Sequence, residues 1–105
     1  MEGRVDIGYG HSISYACWAP DRELNPQYDG IPDVDKYGVI VYHKTKDDGE
    51  CSSFATFDGE VARKIEPTKP KWQVLSLEPL HIEPSLLCLR CGDHGHIRGG
   101  RWEPA

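Results

Sequence analysis

The chain has 105 residues, with 12 Lys+Arg against 17 Asp+Glu for a formal net charge of −5, 38% hydrophobic residues, 11 Gly and 8 Pro. This excludes a second independent core, long helices and a protein built mainly to coat nucleic acid, and leaves one domain over residues 1–105. No run approaches the roughly 20 apolar residues of a membrane span, and Met1-Glu2-Gly3-Arg4 opens no signal peptide, so a cytoplasmic location is expected; there, four cysteines suggest metal or thiol chemistry before disulfides.

In chain order, the stretch from Arg4 to Trp18 reads as a strand region, with Ile13, Tyr15 and Cys17 on one side and Ser12, Ser14 and Ala16 on the other. From Pro20 to Lys36 the chain is acidic and interrupted by Pro20, Pro26 and Pro32, which argues against a helix or a central strand. Its carboxylates lack the spaced acid-Gly-Glu pattern of an EF-hand, so a solvated loop is expected. Tyr37–His43 and Cys51–Phe57 are the clearest strands, β-branched and aromatic on either side of Asp48-Gly49. A two-residue turn at Asp48-Gly49 sets Tyr42 opposite Ala55, Ile40 opposite Phe57, His43 opposite Phe54 and Val41 opposite Thr56. That register puts His43 and Cys51 on opposite faces.

Asp58 is positioned to cap a short helix over 60–65, with Val61, Ala62 and Ile65 on one stripe and Pro67 as the stop. Trp72–Leu77 and Leu80–Glu83 return to strand, the second bounded by Pro79 and Pro84. The run Ile97-Arg-Gly-Gly-Arg-Trp102 forms a tight hairpin, because Gly99-Gly100 permits the positive φ angles of a type I′ turn. Ile97 then faces Trp102 and Arg98 faces Arg101. The expected fold is mainly β (small α+β), built of short antiparallel strands and hairpins with one short helix. Trp18, Trp72 and Trp102 are expected at the core and its edges, and His11 has no acid partner in a recognisable motif.

The chemistry concentrates in Cys88-Leu-Arg-Cys91-Gly92-Asp93-His94-Gly-His96. Two thiolates at Cys-x-x-Cys spacing reach one metal, and the following Gly lets backbone N–H groups point at sulfur. His94 or His96 supplies a third donor from the same loop. A Cys-x-x-Cys redox pair normally opens a helix after a strand, and Gly92-Asp93-His94-Gly95 opens none. Zinc is the expected ion.

Two resemblances follow from these residues. Cys88-x2-Cys91-Gly92-x2-Gly95-His96 is similar to a retroviral-type zinc knuckle, which grips single-stranded RNA, although position 101 is Arg where the knuckle has its last Cys. The longer tail, from Leu80 through Pro84-Ser85, Cys88, Cys91, His94, Ile97 and Gly100 to Trp102, resembles an uncharacterised family of small zinc-binding bacterial and bacteriophage proteins. The phage branch, mainly from viruses of actinobacteria, is also similar around Asn25-Pro26-Gln27-Tyr28 and from Tyr37 to Phe57. This resemblance implies a zinc-binding β-rich domain of no assigned activity, with Cys91 and His94 at shared ligand positions and Cys51 as a ligand from the first hairpin.

The expected metal site is therefore Cys51, Cys88, Cys91 and His94, with His96 or His43 as alternative ligands to Zn2+. A closed four-ligand site is structural and stabilises a domain whose core alone is marginal. The expected role is binding to a host or phage protein in the bacterial cytoplasm. Two alternatives stand beside it. The first is a nucleic-acid-binding zinc-knuckle-like protein, for which Arg98 and Arg101, like charges across one hairpin, are candidate contacts to an anion such as a phosphate or, in a protein partner, a carboxylate. A small zinc hydrolase would need an open metal position and a base, for which His96 or Asp93 is available. The order His81-x-Glu83 before Cys88-x-x-Cys91 does not fit a deaminase, whose two motifs sit on separate helices.

Overall fold

In the computed structural model, residues 3–45, 47 and 49–105 are described. Two antiparallel four-stranded sheets follow each other along the chain, each a simple meander. The first has the order β1-β2-β3-β4, with β1 Val5–Gly8, β2 His11–Trp18, β3 Val34–Lys44 and β4 Glu50–Thr56. The helix α1, Glu60–Ile65, leads to the second sheet, β5-β6-β7-β8, with β5 Gln73–Leu77, β6 Leu80–Leu87, β7 His94–Arg98 and β8 Arg101–Pro104. The mainly β expectation with one short helix holds.

Period-2 alternation places one face of each sheet against the other. Ile7, Ile13, Val39, Val41, Ala55 and Phe57 from the first sheet meet Leu80, Ile82, Leu86, Ile97 and Trp102 from the second, and together they form one core cluster. Fully burying each such aliphatic side chain stabilises the fold by about 1.5–3 kcal/mol before entropy is counted. A parallel bridge between Phe57 and Trp72 joins the two sheets, with the Trp72 N–H donating to Thr56 O at 2.8 Å and the Asp58 N–H to Trp72 O at 2.8 Å.

The first hairpin differs from the expected register. Val39 faces Ala55, Val41 faces Ser53, Tyr42 faces Ser52 and His43 faces Cys51. The connection is longer than two residues: the Thr45 N–H donates to Gly49 O at 3.0 Å, and Thr45 Oγ1 accepts from the Gly49 N–H at 3.1 Å. The Asp48 half of the expected turn lies outside the described residues. Slipping the pairing by an odd number of residues exchanges the faces, and here it turns His43 and Cys51 to the same buried side. The core chooses this register, since it buries Val39, Val41 and Ala55 together against Ile13.

Other boundaries also moved. The Arg4–Trp18 stretch is two strands, β1 and β2, joined at Tyr9-Gly10, where Tyr9 has φ 55. The central strand β3 begins at Val34, inside the segment expected to stay irregular, because Pro32 precedes it and interrupts no ladder bond. Asp58 does not cap α1: the N-cap is Gly59, without a side-chain bond, and Asp58 instead accepts from Arg63 at 2.9 and 3.0 Å. Pro84 lies within β6 rather than ending it, in the stretch between Ile82 and Leu86 where pairing with β7 is irregular and no ladder bond is needed from it. The Gly99-Gly100 hairpin follows expectation, with Ile97 opposite Trp102, Arg98 opposite Arg101, and both glycines at positive φ.

Candidate metal centre

A transverse row crosses the inner face of the first sheet near one end. His11 on β2 pairs with His43 on β3, and His43 pairs with Cys51 on β4. All three side chains are buried, at 6%, 5% and 7% exposure, so the sheet ends its apolar face in two imidazoles and a thiol. Polar groups in such a place require partners. The second sheet brings them, in the loop that leaves β6.

That loop begins at buried Cys88 and passes exposed Cys91. The Gly92 N–H donates to Cys88 O at 2.7 Å and the Cys88 N–H to Asp93 O at 2.8 Å, which closes the Cys-x-x-Cys-Gly turn. Gly92 has φ +76, a left-handed conformation that glycine adopts without a Cβ penalty. The turn brings Cys91 Sγ to 2.8 Å from His43 Nε2 and Cys88 Sγ to 3.4 Å from Cys51 Sγ. The four ligand atoms of His43, Cys51, Cys88 and Cys91 all lie within 4.8 Å of one another.

Bonds of about 2.3 Å to sulfur and 2.0 Å to nitrogen separate tetrahedral donors by roughly 3.5 Å, so this set is close to the size one ion requires. Three thiols and an imidazole are soft and borderline donors, suited to zinc and poorly suited to magnesium or calcium. Electrostatics in the cluster are uneven. For Cys88, burial pushes the thiol up, but hydrogen bonds from the backbone N–H groups of Cys91 and Arg90 and from Cys51 more than offset it, leaving it below the ordinary thiol value. Cys51 is held above that value by its hydrogen bond with Cys88 first and by burial second. One thiolate at Cys88 is therefore favoured and a second beside it opposed, the imbalance that a divalent cation among the sulfurs removes.

Of the residues singled out in the sequence, Cys51, Cys88 and Cys91 are brought together, and the histidine beside them is His43. His94 Nε2 instead meets Ser85 Oγ at 2.9 Å, on an exposed side chain. The reason is local: His94 opens β7, paired with Leu87, and the pleat turns it away from the interior while Gly95 points inward. His96 lies opposite Glu103 and is likewise outside the cluster. Arg98 does not stand free beside Arg101, because it donates to Glu83 and Glu103, each at 3.2 Å. Cys17, the fourth cysteine, is exposed and apart.

The sequence reading missed one pairing in the neighbourhood, that of His11 with Asp93. His11 Nε2 is 2.7 Å from Asp93 Oδ2, a contact across 82 positions of sequence, and its Nδ1 donates to Tyr9 O at 2.7 Å. The His11 ring stacks on Trp102 at 4.1 Å and 12°. The available signal was the strand pairing: once β2 and β3 are in register, His11 must lie beside His43. Beside the cluster and reaching Cys88, a groove of about 600 Å³ runs along β4 and past the metal loop, lined also by Phe54, Trp72, Leu87, Leu89 and Arg90.

The fold and cluster define a small β protein with three cysteines and one histidine able to hold a metal ion. Comparison with family models, curated proteins and solved structures found no match to the chain. Among the described residues, no helix is long and apolar enough to cross a membrane.

Proposed function

We propose that the protein is a small zinc-binding phage protein, with His43, Cys51, Cys88 and Cys91 holding one structural Zn2+, and that it works by binding a host or phage protein in the bacterial cytoplasm. The observation that carries the zinc reading is the convergence of these four donors from both sheets within 4.8 Å. Four protein donors saturate tetrahedral zinc and leave no place for a reacting water, which supports a structural ion over a hydrolytic one. Asp93, the candidate base of a hydrolase, is engaged with His11. The ion would fasten the loop after β6 to β3 and β4, stapling the second sheet to the first at the end where the apolar core stops. Such a site contributes about 10 kcal/mol to folding.

The binding role and the phage origin rest on the resemblance of the tail, and on exposed apolar side chains flanking the loop, Leu87 at 51% and Leu89 at 91% exposure. The neutralisation of Arg98 by Glu83 and Glu103 weakens the case for nucleic acid. The deciding experiment is metal content of the purified chain by mass spectrometry, followed by chelation. One zinc per chain and cooperative loss of the near-UV spectrum with chelator are expected. A metal-free chain that keeps its spectrum and takes up no added zinc sinks the reading.

A further inference from the structure

We infer that Asp93 is the positioning residue of the metal centre, and that it orients His43 from behind while His11, itself stacked on Trp102, holds Asp93 in place. The inference rests on the metal reading above and goes beyond its four donors. His43 Nε2 is the nitrogen that faces the sulfurs, at 2.8 Å from Cys91 Sγ. When that nitrogen gives its lone pair to an ion, the neutral ring carries its hydrogen on Nδ1. Nδ1 is buried and without a hydrogen-bond partner. The acceptor facing it is Asp93 Oδ2, at 3.8 Å. A small ring rotation or loop movement as the ion draws in its ligands would close that gap to a hydrogen bond, and metal-bound histidines commonly donate to such a carboxylate.

Asp93 is well prepared for this. It follows Cys91 by two residues, so the loop that supplies a ligand also supplies the carboxylate. Its backbone carbonyl accepts from the Cys88 N–H at 2.8 Å, and its Oδ2 is 2.7 Å from His11 Nε2. His11 in turn is fixed by its Nδ1 bond to Tyr9 O and by the Trp102 ring. The chain His43–Asp93–His11–Tyr9 thus ties the metal loop of the second sheet to the β1–β2 turn of the first.

The same three side chains, His11, His43 and Asp93, also have ligand atoms within 4.8 Å of one another, which raises a second metal as the competing arrangement. His43 would then bridge two ions and lose both ring hydrogens. A hydrogen bond to Asp93 needs no such deprotonation, and this decides for a positioning role.

The test uses the full chain loaded with zinc for nuclear magnetic resonance and with Co2+ for absorption and chelator competition. Long-range proton–nitrogen correlation of the wild type should find His43 metallated at Nε2 with its hydrogen on Nδ1. Asp93→Ala should weaken Co2+ binding about 10–100-fold while keeping the thiolate–Co2+ charge-transfer bands of three sulfur ligands. Asp93→Asn, which retains an acceptor oxygen, should restore part of the affinity. Unchanged affinity in Asp93→Ala, or metallation of His43 through Nδ1, overturns the inference and leaves the metal centre standing. Two ions per chain overturn it in favour of the bridged arrangement. A wild-type chain that binds neither metal removes the centre itself, and the positioning role with it. If Asp93→Ala does not fold, Asp93→Asn takes its place: a His43 Nδ1–H resonance that moves upfield in that variant supports the hydrogen bond to the carboxylate, and an unmoved one overturns the inference.

Discussion

His43 and Cys51 face each other across β3 and β4, both buried and both directed at the loop that carries Cys88 and Cys91. This pairing makes a hairpin into half of a metal site. The other half needs only the turn of a Cys-x-x-Cys-Gly loop, and a bound ion would join two sheets that also meet through apolar contacts, the Phe57–Trp72 bridge and polar contacts such as His11 with Asp93 and Tyr15 with Leu77 O. Each half alone offers two donors, too few to hold zinc tightly.

The choice of histidine gives the most direct prediction. His43→Ala should cost more zinc affinity than the 10–100-fold typical of residues that only support a ligand. His94→Ala, which removes only an exposed contact with Ser85, should leave zinc stoichiometry and affinity unchanged. Competition with a chromophoric chelator measures both. Equal loss in the two variants contradicts the arrangement.

Gly95 should not tolerate a side chain. A Cβ there would lie 2.5 Å from Trp102 Cζ2 and 2.6 Å from Glu103 O, and Trp102 is fixed between the core and His11. Gly95→Ala should destabilise the domain by about 2 kcal/mol through displacement of that ring. Thermal unfolding followed by tryptophan fluorescence reports the loss, and a wild-type midpoint would refute the close approach.

The core between the sheets predicts a cavity effect. Ile82 and Ile97 pair across β6 and β7 and are both fully buried. Ile82→Ala should cost about 2–5 kcal/mol in denaturant titration of the zinc-loaded protein. A cost below about 1 kcal/mol would mean that the two sheets do not pack as described.

The Glu83 carboxyl predicts a pH dependence. Hydrogen bonds from Arg98 first and His81 second hold it below the ordinary carboxylate range. A carboxyl with a depressed folded value stabilises the protein above its unfolded value of about 4.3, and the contribution disappears as the pH falls through the folded value. The stability difference between wild type and Glu83→Gln should therefore be present at pH 7 and shrink toward pH 3. Denaturant titrations at the two pH values, with both proteins in the same metal state, check the sign. A difference that grows on acidification contradicts it.

How much of this was legible beforehand depends on the range of the interaction. The Gly99-Gly100 hairpin was readable because two adjacent glycines specify a turn and the turn specifies the pairing of Ile97 with Trp102. Cys88 and Cys91 were readable because their relation is fixed within one loop. The cap of α1 was misread, since the nearby Arg63 competes for Asp58. His11 carried no local signal: its place beside His43 follows only from the β2–β3 register, and its partner Asp93 lies 82 positions along the chain.

The sequence by itself determined a mainly β chain with one short helix, the strands around Tyr37–His43 and Cys51–Phe57, and the Cys88–Cys91 pair suited to one metal, while Cys51 entered only through the family resemblance. Only the tertiary structure decided which histidine joins them. The physical reason is that strand register has a period of two: moving one hairpin by an odd number of residues carries His43 from one face to the other. That shift was selected by the burial of Val39, Val41 and Ala55 against the opposite sheet, a condition that no local stretch of sequence contains.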